Sequence, residues 1–136
     1  MSHYPFTYRG TIVESLMCGR MFVAAGKRGY DTEYFCKVVM TSDYGVRVMT
    51  GDNHSEWADE YFLLSGFEEY VGLIQGETYP SYVLSYMGYL YKYWIDKHGM
   101  NPVDVYNMAR PSEINDKYLS LYNEGYDYAI EVFSNQ

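Results

Sequence analysis

Apolar residues recur at helical spacing along most of the chain, most regularly from Thr78 to His98. There Val83, Met87, Leu90 and Trp94 fall on one stripe at i, i+4, i+7 and i+11. Tyr82, Tyr86, Tyr89 and Tyr93 make a second stripe, and Leu84, Gly88, Tyr91 and Ile95 a third. Only Ser81, Ser85, Lys92 and Asp96 trace a polar line. A helix that is apolar nearly all round is covered by neighbours on several sides. The spacing therefore predicts a core post, with Val83, Met87, Leu90 and Trp94 buried against helices near 12–27 and 113–133.

The remaining pattern predicts further helices. Thr11-Ile12-Val13-Glu14 reads as a capping box, opening a helix to about Lys27 with Ile12, Val13, Leu16, Met17, Phe22 and Val23 inward. Gly26 and Gly29 bracket a turn. Asp31 can cap a short helix to about Met40, although YFCKVV is equally good strand material. Residues 41–53 are turn formers around one β-like piece, Val46 to Thr50. Asn53-His54-Ser55-Glu56 marks another helix start, and a helix is expected from about His54 to Gln75. Its inner face would be Leu63, Phe67, Tyr70 and Ile74, with Ser65-Gly66 as a weak point. Gly99 ends the central helix, and Asn101-Pro102 supplies a cap and a first-turn proline for a short helix, Val103 to Ala109. A last helical stretch from Ile114 to Phe133 is interrupted at Gly125. The expected fold is mainly α: one compact domain over 1–136, with helix-turn-helix-like corners and at most one small β piece near 46–50.

The chain can also be read as two repeats, 11–75 and 81–133. A shift of 70 residues lays Val13, Ser15 and Met17 on Val83, Ser85 and Met87, Gly29 on Gly99, and Asp31 on Asn101. Each half is then a long helix, a glycine turn, an Asx cap and a short helix. Further on the shift changes, with Asp59-Glu60-Tyr61 resembling Asp116-Lys117-Tyr118 and Gly66-Phe67 resembling Gly125-Tyr126.

Charge changes the picture more than length does. The net charge is −8 across 136 residues, and it is unevenly placed. Residues 1–42 hold five basic and three acidic side chains, 43–77 hold Arg47 against eight acids, and 78–136 hold four basic and seven acidic. The middle is an acidic belt, a field that repels nucleic acid. The 18 tyrosines exceed what a small core needs, so some rings are expected at the surface. Two cysteines, Cys18 and Cys36, make no disulfide framework and read as reduced core thiols of a cytoplasmic protein. The start, MSHYPFTYRG, does not resemble a signal peptide, and no apolar run is long enough to span a membrane.

Candidate chemistry is sparse. His54 lies among Asp52, Glu56, Asp59 and Glu60, a set with the ligand types for a metal, but the helix start already accounts for Asn53, Ser55 and Glu56. Cys36 sits in core-like flanks. No nucleophile elbow, phosphate loop, HExxH or CxxC occurs. The corner Lys97-His98-Gly99-Met100-Asn101-Pro102 has the shape of a helix-turn-helix, yet its second helix offers only Asn107 and Arg110 beside Asp104. No catalytic, cofactor or metal residues are predicted.

The segment SYMGYLYKYWIDKHGMNPVDVYNMA, followed by KYLSLYNEGYDYAIEVF, carries a further set of marks. These are an aromatic-rich helix, then Lys97, Gly99, Met100 and Asn101 at a corner, Asp104-Val105-Tyr106, Tyr118-Leu119-Ser120-Leu121, and Gly125 with Asp127-Tyr128. In them, residues 80–133 resemble a family of small bacterial proteins known only as a domain of unknown function. The resemblance implies a small intracellular partner protein, of the kind thought of beside toxin-like ADP-ribosyltransferase genes, and it carries over no catalytic residues.

The expected function is a non-catalytic protein-interaction module of antitoxin, immunity or phage-inhibitor type. Glu56, Asp59, Glu60, Glu68 and Glu69 together with Tyr82, Tyr86, Tyr89 and Tyr93 are expected to form one surface for a basic protein partner or a second copy of the chain. The alternatives are a helix-turn-helix DNA-binding regulator and a small enzyme or ligand-binding α protein with an aromatic pocket.

Overall fold

The computed structural model describes the backbone of residues 8–51 and 59–136, and the side chains from Ile12 onward within those ranges. Among the described residues the fold is all-helical. In chain order it has α1 (Tyr8–Lys27), α2 (Thr32–Thr41), α3 (Asp43–Thr50), α4 (Glu60–Tyr70), α5 (Ser81–His98), α6 (Pro102–Met108), α7 (Pro111–Leu121) and α8 (Tyr126–Ser134).

Helix α5 is the post that its pattern predicts. Val83, Met87, Leu90 and Trp94 are all buried, and α1, α3, α6, α7 and α8 pack around it. Its largest contact is with α1, which runs in the opposite sense and crosses it backbone to backbone. A Cβ on Gly88 would stand 2.7 Å from the Cys18 carbonyl oxygen, and one on Gly19 would stand 2.7 Å from that of Ser85. Both lie inside the distance that Cβ atoms keep, so only glycine allows this approach.

That crossing shifts the inward face of α1: Phe22 is buried as expected and Met17 and Val23 pack against the core, but the first turns differ. Val13 and Leu16 are exposed, while Glu14, Ser15, Cys18, Met21, Phe22, Ala24 and Ala25 are buried. Close contact brings Ser15, Cys18 and Gly19 toward α5 while Met21 and Phe22 fill the core beside it, and Val13 and Leu16 are left outside. The helix also begins at Tyr8, so Thr11 lies within it and the expected capping box is not its start. Glu14 is instead drawn inward to Lys92.

Residues 32–40 are helix, not strand. Asp31 Oδ2 accepts from the Tyr34 amide at 2.9 Å, and Phe35, Cys36, Val39 and Met40 enter the core. The β-like piece at 46–50 is also helix, α3. Ser42 ends α2 and caps α3 at once: its amide donates to the Val38 carbonyl, and its Oγ accepts from the Gly45 amide at 3.0 Å. Gly45 fits because a Cβ there would collide with the carbonyl oxygens of Val38 and Val39. Burial of Val48 and Met49, three and four residues after the buried Gly45, outweighs the strand preference of the valines.

The helix expected from His54 to Gln75 is shorter. Asn53, His54, Ser55 and Glu56 lie outside the described residues. Asp59 caps α4 by accepting from the Tyr61 amide at 2.7 Å. Ser65-Gly66 does not break α4; Gly66 is where the Tyr44 ring lies against it. The chain leaves the helix after Tyr70, and Gly72 takes a left-handed φ of 88°. Tyr70 and Ile74, expected inward, are exposed. The segment that follows runs extended and is pinned to the α1–α2 turn. The Asp31 amide donates to the Ile74 carbonyl at 2.9 Å, Gly76 to Gly29 at 3.0 Å, and Thr32 to Glu77 at 2.9 Å. A single antiparallel bridge, Tyr30 to Gln75, results.

The two halves share an order of elements. Long α1 and α5 each end near a left-handed glycine, Gly29 and Gly99. An Asx cap follows in each, and then short α2 or α6. Some contacts repeat in parallel, α1 with α5, α2 with α6, α1 with α4 as α5 with α8, and α2 with α7 as α3 with α6, whereas the close packing of α2 on α3 has no comparable counterpart between α6 and α7. Cys18 and Gly88, one repeat apart, meet at the crossing. The later correspondences do not match, because Asp59-Glu60-Tyr61 opens α4 whereas Asp116-Lys117-Tyr118 lies in the middle of α7.

Candidate functional site

Three groupings of side chains stand out, and the first is the acidic belt. On α4, Leu63, Leu64, Gly66 and Phe67 face the core. The opposite side carries Tyr61, Phe62, Ser65 and Glu69, with Phe62, Ser65 and Glu69 spaced i, i+3 and i+7. Phe62 is 62% exposed, Tyr61 52% and Tyr70 67%. Asp59 and Glu69 are exposed beside them, and Glu60 is half-buried. Glu68 points the other way, into a small network: its Oε2 accepts from Arg28 at 2.8 Å and from the Tyr30 hydroxyl. The Tyr30 hydrogen bond holds the Glu68 carboxyl below its usual range; burial opposes it, and Arg28 adds to it. Arg28 also lies over the Tyr61 ring, 5.6 Å from its centre. Glu56 lies outside the described residues.

The second grouping is a run of tyrosine rings between α5, α7 and α8. Tyr122 stacks on Tyr118 at 5.1 Å, and Tyr118 meets Tyr82 at 5.2 Å and Tyr86 at 5.4 Å. Tyr86 stacks on Tyr126 at 5.1 Å, and Tyr126 on Tyr89 at 4.1 Å. Tyr93 closes the run, 6.1 Å from both Tyr89 and Tyr126. Its hydroxyl donates to Asp127 at 2.9 Å, and Lys97 donates to the same carboxylate at 2.8 Å. Burial raises the phenols of Tyr86 and Tyr126, the latter to about 12, so these rings stack as neutral groups.

The structure therefore separates what the sequence reading placed together. Of the four α5 tyrosines expected at the surface, Tyr86 and Tyr93 are buried, Tyr89 is half-buried, and only Tyr82 is exposed. They pack on α7 and α8, whereas α4 packs on α1 and α3. The aromatic companions of the acids are Tyr61, Phe62 and Tyr70. The sequence held a signal for the first two: an aromatic pair directly after Asp59-Glu60, outside the positions that repeat inward.

The third grouping is buried. Lys92 is 1% exposed, and its Nζ lies 2.8 Å from Asp96 Oδ1, 2.9 Å from the Met49 carbonyl oxygen and 3.4 Å from Glu14 Oε1. This joins α1, α3 and α5 through one cation. With the lysine buried and held by groups from three helices, the cluster acts as a structural clamp.

The remaining candidates resolve into packing. Cys18 and Cys36 are free and buried, and burial pushes both thiols well up, out of the reactive range. Cys36 donates to the Tyr91 hydroxyl at 3.4 Å, and that hydroxyl donates to the Ala109 carbonyl. At the α5–α6 corner, Asn101 caps α6 by accepting from Val103 at 2.9 Å. The two side chains offered there as base readers hold each other instead. Arg110 donates to Asn107 Oδ1 at 3.1 Å and its guanidinium lies over Tyr106. Among the described residues no cluster of His, Cys, Asp and Glu has the geometry of a metal site, and His54 falls outside them. No described helix is long and apolar enough to cross a membrane. Neither a protein-family model, a curated protein nor a solved structure matches the chain.

Proposed function

We propose that this chain is a non-catalytic protein-interaction module that docks a basic partner on the outward face of α4, in the manner of an antitoxin, immunity or phage-inhibitor protein. One observation carries the reading: Tyr61 and Phe62 stand exposed beside Asp59 and Glu69, on the side of α4 opposite the one committed to the core. Large rings left in water at one place mark contact surfaces, and aromatic anchors supply most of the energy of such contacts. The acids around them would steer a positive partner into place. A second copy of the chain fits this face less well, since each copy brings the same net charge of −8.

The test is capture from an extract of the native host on immobilised chain. Asp59→Lys/Glu60→Lys/Glu69→Lys should slow capture of a basic protein and remove its salt dependence, and Phe62→Ala should weaken retention. A captured set unchanged by both variants would remove the reading, as would light scattering showing that this face closes a homodimer.

A further inference from the structure

The α3–α4 flank holds a cleft of about 660 Å³, lined by Ser42, Asp43, Tyr44, Arg47, Tyr70 and Val71. That is within the size of small-molecule sites, about 300–1,000 Å³. Its floor is a built feature. The Tyr44 ring packs edge-on to Phe67, with centres 5.0 Å apart, and tilts against Tyr70 at 5.2 Å. It reaches there only because residue 66 is glycine; a Cβ would stand 2.0 Å from the Tyr44 hydroxyl oxygen. Tyr70 then offers a largely exposed ring on the cleft side of α4's last turn.

The polar groups divide unequally. The Ser42 hydroxyl is spent on the α2–α3 corner, donating to Val38 O and accepting from Gly45 N. Arg47 is different. Its Nε is occupied by the Asp43 carbonyl at 3.4 Å, which settles the guanidinium along α3. It is also the only lysine or arginine between Asp43 and Tyr91, a stretch otherwise strongly acidic. The lone cation of that stretch lines its cleft.

We infer that the cleft binds an aromatic monocarboxylate, the ring lying against Tyr44 and Tyr70 and the carboxylate held by the terminal amino groups of Arg47. A planar fork of donors matches a carboxylate in two-point contact. Asp43 on the same wall, and the acids of α4 beyond it, select against a doubly charged phosphate ester. They would likewise tolerate an ammonium group, but Arg47 repels one. The inference does not depend on the proposed partner, since it concerns the purified chain alone.

The test is titration of the ¹⁵N-labelled full chain, followed by amide shifts, with three probes sharing one ring: 2-naphthoate, 2-naphthyl phosphate and 2-naphthylmethylammonium. Naphthoate should give saturable shifts at Tyr44, Arg47, Tyr70 and Val71, more tightly than either other probe. Arg47→Gln, on the exposed side of α3, should weaken it by about tenfold while the rest of the spectrum stays folded. Asp43→Asn should leave the preference for naphthoate intact and tighten it. Absence of saturable shifts at those amides, equal binding by Arg47→Gln, or tighter binding of the phosphate or ammonium probe would each overturn the assignment.

Discussion

Replacing Lys92 with methionine is the sharpest probe of how the core is held. The change keeps an unbranched stem, one atom shorter, and removes the charge and three donors. In the native protein those donors serve Asp96 at 2.8 Å, Met49 O at 2.9 Å and Glu14 at 3.4 Å, with Lys92 1% and Glu14 5% exposed. Lys92→Met takes away a cation beside Glu14, which stays buried, and Asp96, which is partly exposed. Breaking one partner of a buried pair costs about 3–5 kcal/mol, a large part of a domain's total of about 5–15 kcal/mol. In urea, with a slope of about 1–3 kcal/mol/M, the midpoint should fall by more than about 1 M. The double variant Lys92→Met/Glu14→Leu should recover much of that loss, because removing both charges also removes their desolvation. The loss should change little between low and high salt, since buried pairs are weakly screened. A single-variant loss under about 1 kcal/mol, typical of a surface pair, or a double variant no better than the single, would refute the clamp.

Two other expectations follow from single contacts. Gly88→Ala should destabilise by about 1–3 kcal/mol through overpacking, despite a gain of about 1 kcal/mol in helix propensity, because its Cβ would meet the Cys18 carbonyl oxygen at 2.7 Å; equal or greater stability by urea denaturation would show that α1 and α5 do not touch there. The Glu68 carboxyl is held below its unfolded value by Tyr30 and Arg28, so its contribution is present above about pH 4.5 and is lost as pH falls through the lowered folded value. Glu68→Gln should cost under about 1 kcal/mol at pH 7, the cost should shrink as pH falls below about 4.5, and a cost that grew toward acid would reverse the sign.

How far the sequence could be read depended on which residues decide each helix. Where a periodic face and a cap agree, as for α5 with Gly99 or α2 with Asp31, local pattern was enough. Residues 46–50 were misread because two valines favour strand, while the devices that make them helical, the Ser42 cap and the close approach of Gly45 to the Val38 and Val39 carbonyls, lie just upstream of the piece. The first turns of α1 were misread for another reason: glycines at 19 and 88 set the crossing, and no hydrophobicity pattern weighs an absent side chain. Lys92 looked like part of a solvent line, since its partner Glu14 lies 78 residues away. At the candidate site the acids of α4 were legible from charge alone. Their aromatic companions were not, because the α5 tyrosines are the more conspicuous cluster and turn out to satisfy one another.

The most direct test of the central claim, that α4 and not the tyrosine run meets the partner, is site-specific photocrosslinking in the native host. A benzophenone amino acid placed at Phe62 should capture a basic protein. The same probe at Leu119, on α7 beside the tyrosine run and 81% exposed, should capture none. Capture from Leu119 with none from Phe62 would contradict the account.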